Sequence, residues 1–160
     1  MRLAVFTNQF PGPTSAFFAR DMRGLIEAGV EIEVLPLYPL DSNFWNYIPD
    51  ILNEEVLPRR NVHHLTVTEC LRAASTAVTS RKVGRLLGDS TRITASASRF
   101  GINALSKTSY SLLTAWAWTK QLPDRFDHIL AYWGNYAATS AYIYHRLSSR
   151  EIPYSVSRPN

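Results

Sequence analysis

The feature that most restricts the fold of this chain is near its start, where two β-type runs flank a single amphipathic helix. Leu3 to Thr7 is a short apolar run that ends at Asn8, and Pro11, Gly12 and Pro13 then break any regular element. Thr14 or Ser15 is placed to cap a helix on which Phe18, Met22, Leu25 and Ile26 share one face, and Gly29 offers it a left-handed stop. Val30, Ile32 and Val34 then alternate with Glu31 and Glu33 and run into Leu35, before Pro36 and Pro39 close the strand. A helix of about four turns between two strands is long enough for a crossover. The strands are therefore expected to be parallel, joined by a right-handed crossover. This predicts an α/β fold, a Rossmann-like parallel sheet flanked by helices.

Leu40 to Pro58, with Phe44, Trp45, Tyr47 and Pro49, keeps no period and is expected to be an irregular excursion. Val62 to Val67 reads as a short third strand. Glu69 to Leu87 reads as a helix stopped by Gly88, and Ile93 to Leu122 as a second one closed by Pro123. Ile129 to Trp133 is a strand of the buried type, Gly134-Asn135 turns the chain, and Ala137 to Leu147 is an amphipathic helix along Ala138, Ala141, Tyr142 and His145. Pro153 to Val156 begins a last strand before Arg158-Pro159-Asn160. With 160 residues, 46% of them hydrophobic, residues 1–160 are expected to form one domain around one core.

Charge narrows the function classes. From Arg59 to Lys107 the cations are Arg59, Arg60, Arg72, Arg81, Lys82, Arg85, Arg92, Arg99 and Lys107, against only Glu69 and Asp89. Such a face attracts anionic membranes, phosphorylated ligands or nucleic acid, or is simply a solvated helix surface. No nucleic-acid motif accompanies it, so no nucleic-acid partner is expected. The Tyr110 to Trp118 stretch, with Leu112, Leu113, Trp116 and Trp118, is either a peripheral membrane contact beside the basic segment or a helix packed on the sheet, and amphipathicity favours packing. Cys70 is the only cysteine, which excludes an intramolecular disulfide. The opening apolar run is too short for a signal peptide, and Ile102 to Trp118 is too interrupted to span a bilayer. A cytoplasmic location follows as the expectation.

Two turns are candidates for chemistry. The first is the loop from Asn8 to Ser15, where Asn8, Pro11, Gly12, Thr14 and Ser15 stand between a strand and the free N–H groups of a helix. It lacks G-x-G-x-x-G, which argues against dinucleotide binding, and its Pro and Gly also suit an ordinary turn. The second is Trp133-Gly134-Asn135-Tyr136, two aromatics, an amide and a glycine that are able to stack on and hydrogen-bond a sugar. Residues such as Trp133 and Tyr136 are more often part of a core or an interface. His63, His64, His128 and His145 lack metal-ligand spacing, and G-x-S-x-G is absent, so neither a metal site nor a serine hydrolase is expected, and no cofactor.

These residues resemble a family. Met1 to Thr7 followed by Phe10-Pro11, Phe17, Arg20-Asp21 and Glu27-Ala28-Gly29-Val30-Glu31-Ile32-Glu33-Val34 is similar to the opening of bacterial family-four glycosyltransferases, which read F-P-x-x-S-E-T-F-x-x-R-E and then a G-H-E-V strand. Thr14, Ser15 and Ala16 stand where that pattern has Ser, Glu and Thr, and Asp21 stands for its last Glu. Asp127-His128-Ile129, Ala131, Trp133, Ala138-Thr139, Ala141-Tyr142 and Ile152-Pro153-Tyr154-Ser155 resemble the D-H-I-H-A-H-F, A-T-x-A-Y and I-P-F-S segments, with Leu130 and Tyr132 in place of the two later histidines.

The resemblance implies the amino-terminal, acceptor-side domain of a retaining, metal-independent GT-B enzyme concerned with cell-envelope or exopolysaccharide synthesis. It would receive a saccharide or lipid-linked saccharide, at the inner face of the membrane in the latter case. The nucleotide sugar would be held by a second domain that carries paired glutamates, which the 160 residues do not contain, so no catalytic residue is assigned and the unit alone is expected to be inactive. The alternative is a non-catalytic Rossmann-like binding or interaction module.

Overall fold

The computed structural model describes residues 1–12, 15–38, 52–53, 55–77 and 83–157. Its strands are β1 (Arg2–Thr7), β2 (Glu31–Pro36), β3 (His128–Ala131) and β4 (Tyr154–Val156), and its helices are α1 (Ser15–Glu27), α2 (Val67–Ala77), α3 (Val83–Ser98), α4 (Ile102–Gln121) and α5 (Tyr136–Leu147). The four strands form one sheet in the order β2-β1-β3-β4, and every pairing is parallel. The fold is α/β and Rossmann-like. No described helix is long and apolar enough to cross a membrane.

Strict alternation on the strands separates two cores. Ala4, Phe6, Leu35, Leu37, Ile129 and Ala131 face α4, α5 and α2, whereas Leu3, Val5, Ile32 and Val34 face Phe18, Ala19 and Met22 of α1. Burying Phe18 and Met22 stabilises the α1 face by about 1.5–3 kcal/mol per side chain. α1 therefore covers one face of the sheet and α5 the other. The strand order turns outward in opposite directions from β1 and β3, and in open α/β sheets the crevice outside the carboxyl ends of such a pair is where ligands bind.

Several boundaries differ from the sequence expectation. Val62 makes only an isolated parallel bridge to Val34 and does not begin a regular strand, although its position continues the sheet beyond β2. Gly88 lies inside α3 rather than ending a helix. The expected helix from Ile93 to Leu122 is broken at Gly101, whose φ of 93° no β-carbon-bearing residue adopts cheaply, so α3 and α4 meet there at a corner. The excursion at 39–51 and at 54, the segment 78–82 with Arg81 and Lys82, and the terminal 158–160 lie outside the described residues.

Trp116 and Trp118 are buried in the core against the sheet. Trp118 meets Phe6 edge-on at 5.4 Å, and the Trp116 indole N–H donates to the Ala73 carbonyl at 2.6 Å. This is the packing alternative for the Tyr110–Trp118 stretch, so these tryptophans are not a membrane-touching face. The basic segment is also divided. Arg60 lines a cavity at the amino edge of the sheet with Arg2 and Arg125, Arg72 lines a second one between α2 and α4, and Arg92, Arg99 and Lys107 are exposed around the α3–α4 corner.

Candidate functional site

The two turns singled out in the sequence lie side by side at the carboxyl edge of the sheet, because β1 and β3 are neighbours in register, Phe6 opposite Ala131. A hydrogen bond ties them together. The Asn8 carboxamide oxygen accepts from the backbone N–H of Ala137, at 3.1 Å. Asn135, the residue before α5, makes no side-chain cap to its own helix. Asn8 therefore caps α5 from a different strand, supplying an acceptor to one of the free N–H groups of its first turn.

The β3 end is strained. Trp133 and Asn135 both have positive φ, 64° and 62°. With ψ of −135°, Asn135 sits in a region that only glycine occupies freely. Asn135 is exposed and its carboxamide makes no hydrogen bond among the described residues, while Trp133, Gly134 and Tyr136 are half-buried around it. The Lys107 ammonium sits 6.0 Å from the Tyr136 ring centroid, which brings a cation from α4 to the same rim.

Behind the turns is an aromatic stack. Phe10 packs on Phe18 at 4.7 Å, Phe18 meets Tyr132 edge-on at 4.9 Å, and Tyr132 stacks on Trp133 at 5.5 Å. The Tyr132 hydroxyl donates to Asp21 of α1 at 2.8 Å. Burial, reinforced by the Asp21 carboxylate, holds that phenol protonated well above its ordinary range. Trp133, expected inside the strand, lies beyond it, because β3 ends at Ala131 and the chain turns at Trp133.

The members of the first loop do not share one role. Pro11 follows a cis peptide bond from Phe10, and both Pro11 and Gly12 are buried in the wall of this edge. Ser15 opens α1, and Thr14 lies outside the described residues. What this edge offers is a free amide at Asn135, a half-exposed indole at Trp133, the Tyr136 ring and the Lys107 ammonium.

Sequence reasoning missed part of the rim. Tyr38 follows β2, with its N–H on the Asn8 carbonyl at 3.0 Å, and its ring stacks on Tyr110 of α4 at 6.4 Å. The His64 ring is buried enough to lower its pKa, and neither ring nitrogen has a partner at hydrogen-bond geometry, although the Tyr38 backbone partly offsets the desolvation. His64 lacks metal-ligand spacing in the sequence, and nothing local marks a histidine that tertiary packing desolvates.

Both of the cavities described above lie away from this edge. The 590 Å³ one at the amino edge has charges that already pair, Arg2 with Glu31 and Arg125 with Glu33, which also bonds His63. The 300 Å³ one between α2 and α4 is rimmed by Glu69, Arg72, Lys120 and Gln121, and the Glu69 carboxylate is already engaged in closing the first turn of α2 on Thr66. The carboxyl edge is the stronger candidate, because there strained backbone and an unpaired amide coincide at the junction of oppositely directed crossovers. No protein-family model matches the chain, and comparison with curated proteins and with solved structures gives no match.

Proposed function

We propose that this domain is the acceptor-side half of a retaining glycosyltransferase that uses a nucleotide sugar, in cell-envelope or exopolysaccharide synthesis. The observation that carries the reading is the juxtaposition of Asn8 with the Trp133–Tyr136 turn at one sheet edge, joined by the Asn8–Ala137 hydrogen bond. The sequence resemblance to family-four glycosyltransferases supports it independently. A sugar presents alternating hydroxyls and an apolar ring face, and an indole with a free carboxamide beside it matches both. Trp133 is assigned to stacking, Asn135 to hydroxyl recognition, and Asn8 to holding the α5 terminus in place.

One wall does not make a transferase. The departing nucleoside diphosphate needs preorganised donors at its phosphates, a role this reading gives to a second domain, so residues 1–160 alone are assigned to binding an acceptor saccharide without transferring sugar to it. A lipid-linked acceptor would bring the domain to the inner face of a membrane.

The test is a titration of isotope-labelled chain with a panel of mono- and disaccharides, followed by NMR. The expected result is a saturable shift of the Asn135 side-chain amide and the Trp133 indole, abolished by Trp133→Ala. Absence of any saccharide response, or a response confined to other residues, would favour a non-catalytic interaction module. Turnover of a nucleotide sugar by these residues alone would contradict the one-wall assignment.

A further inference from the structure

Gly101, with φ of 93°, makes the corner between α3 and α4. The bend is held by backbone hydrogen bonds from Phe100 to the Ala97 carbonyl at 3.0 Å, from Gly101 to that of Ser98 at 3.2 Å, and from Leu105 to that of Gly101 at 3.1 Å. The two side chains flanking the glycine are Phe100, 81% exposed, and Ile102, 84% exposed, the most solvent-accessible large hydrophobics among the described residues. A fixed corner that holds a phenyl and a sec-butyl group in water needs a reason, since each costs hydration free energy that burial would recover.

Charge around the corner has one sign. Arg92 lies in the last two turns of α3, Arg99 just past its end in the turn that leads to Gly101, and Lys107 on α4, and all three are exposed. No acidic residue occurs between Asp89 and Asp124, and Asp89 is bound to Arg146. α4 descends from the carboxyl edge, where Tyr110 stacks on Tyr38, to the turn that feeds β3 at the amino edge. Its first turn, and the corner before it, therefore stand beyond the rim that carries Lys107 and Tyr136.

We propose that this corner docks on an anionic lipid surface, with Phe100 and Ile102 entering the acyl boundary and Arg92, Arg99 and Lys107 lying over the lipid phosphates. Two apolar side chains set among Ser98, Asn103 and Ser106 are too small a patch for the core of a stable protein interface, which buries about 1,000 Å² or more. A bilayer accepts such a wedge one side chain at a time and rewards the cations beside it. The inference rests on exposure and charge at the corner and not on what the neighbouring rim binds.

The test uses the whole chain in vesicle co-sedimentation, with phosphatidylcholine alone and with phosphatidylcholine mixed with an equal amount of phosphatidylglycerol. Binding is expected only to the anionic vesicles, falling as salt rises. Phe100→Ser combined with Ile102→Ser, and separately Arg92→Gln combined with Arg99→Gln, should each weaken it about tenfold. Both pairs are exposed, so thermal melting should be unchanged. In a Phe100→Trp variant, the added fluorescence should be quenched by vesicles with brominated acyl chains. No sedimentation with anionic vesicles, equal binding by the Ser pair, an unquenched Trp at position 100 in the bound state, or capture of a protein by a chain without vesicle affinity would each overturn the proposal. Saccharide shifts at Asn135 should survive the corner variants, so the two readings fail separately.

Discussion

The carboxamide oxygen of Asn8, just past β1, accepts a hydrogen bond of 3.1 Å from the backbone N–H of Ala137 in the first turn of α5. That contact makes one loop the cap of a helix that begins some 130 residues later, and it fixes the spacing of the two turns at the carboxyl edge. Asn8→Ala is expected to destabilise the fold by about 1 kcal/mol, the usual worth of a cap. Asn8→Asp keeps the acceptor and adds a negative charge at a helix N-terminus, so it should restore most of that loss. Urea unfolding of the three proteins checks the order.

Asn135 separates strain from recognition. Its φ of 62° and ψ of −135° favour glycine, and its side chain holds nothing in place. Asn135→Gly should therefore raise stability by about 1 kcal/mol while weakening any saccharide response. A variant that is less stable than the parent would show that the amide supports the turn, and would remove it from the list of ligand contacts.

His64 should make stability depend on pH. Burial lowers its pKa from 6.5, so below that value the unfolded chain takes up a proton that the folded chain resists. Its contribution is complete above pH 6.5 and is lost as the pH falls from there toward the folded value. His64→Phe should flatten the slope of melting temperature against pH in that window. An unchanged slope in the variant would assign the dependence to other groups.

The two core tryptophans should respond differently to the same change. The Trp116 indole N–H bonds the Ala73 carbonyl, whereas that of Trp118 has no partner. Both Phe substitutions lose volume, but Trp116→Phe also loses a buried hydrogen bond and should cost about 1 kcal/mol more. Equal losses in chemical denaturation would show that packing alone governs both positions.

The α/β class and the parallel opening unit are legible in the residue string, because the alternation of Val30, Ile32 and Val34 and the spacing of Phe18, Met22 and Leu25 are local periodicities. The string also located the two turns at the carboxyl edge, since Asn8 and Gly134-Asn135 interrupt those periods. What these residues do there depends on long-range packing. Pro11 and Gly12 look like loop residues and are buried, while Asn135, one amide among several polar residues in the string, is held at positive φ with no side-chain partner among the described residues. Gly88 and Gly101 are chemically identical, yet one continues a helix and the other ends it, because backbone φ is set by how α3 and α4 pack. Likewise, the interruption of apolarity between Ile102 and Trp118 was legible, but which aromatics would be inside was not. Burial is a property of the neighbours a residue acquires, and for Trp116, Trp118 and Phe100 those neighbours, or their absence, come from contacts that no local pattern encodes.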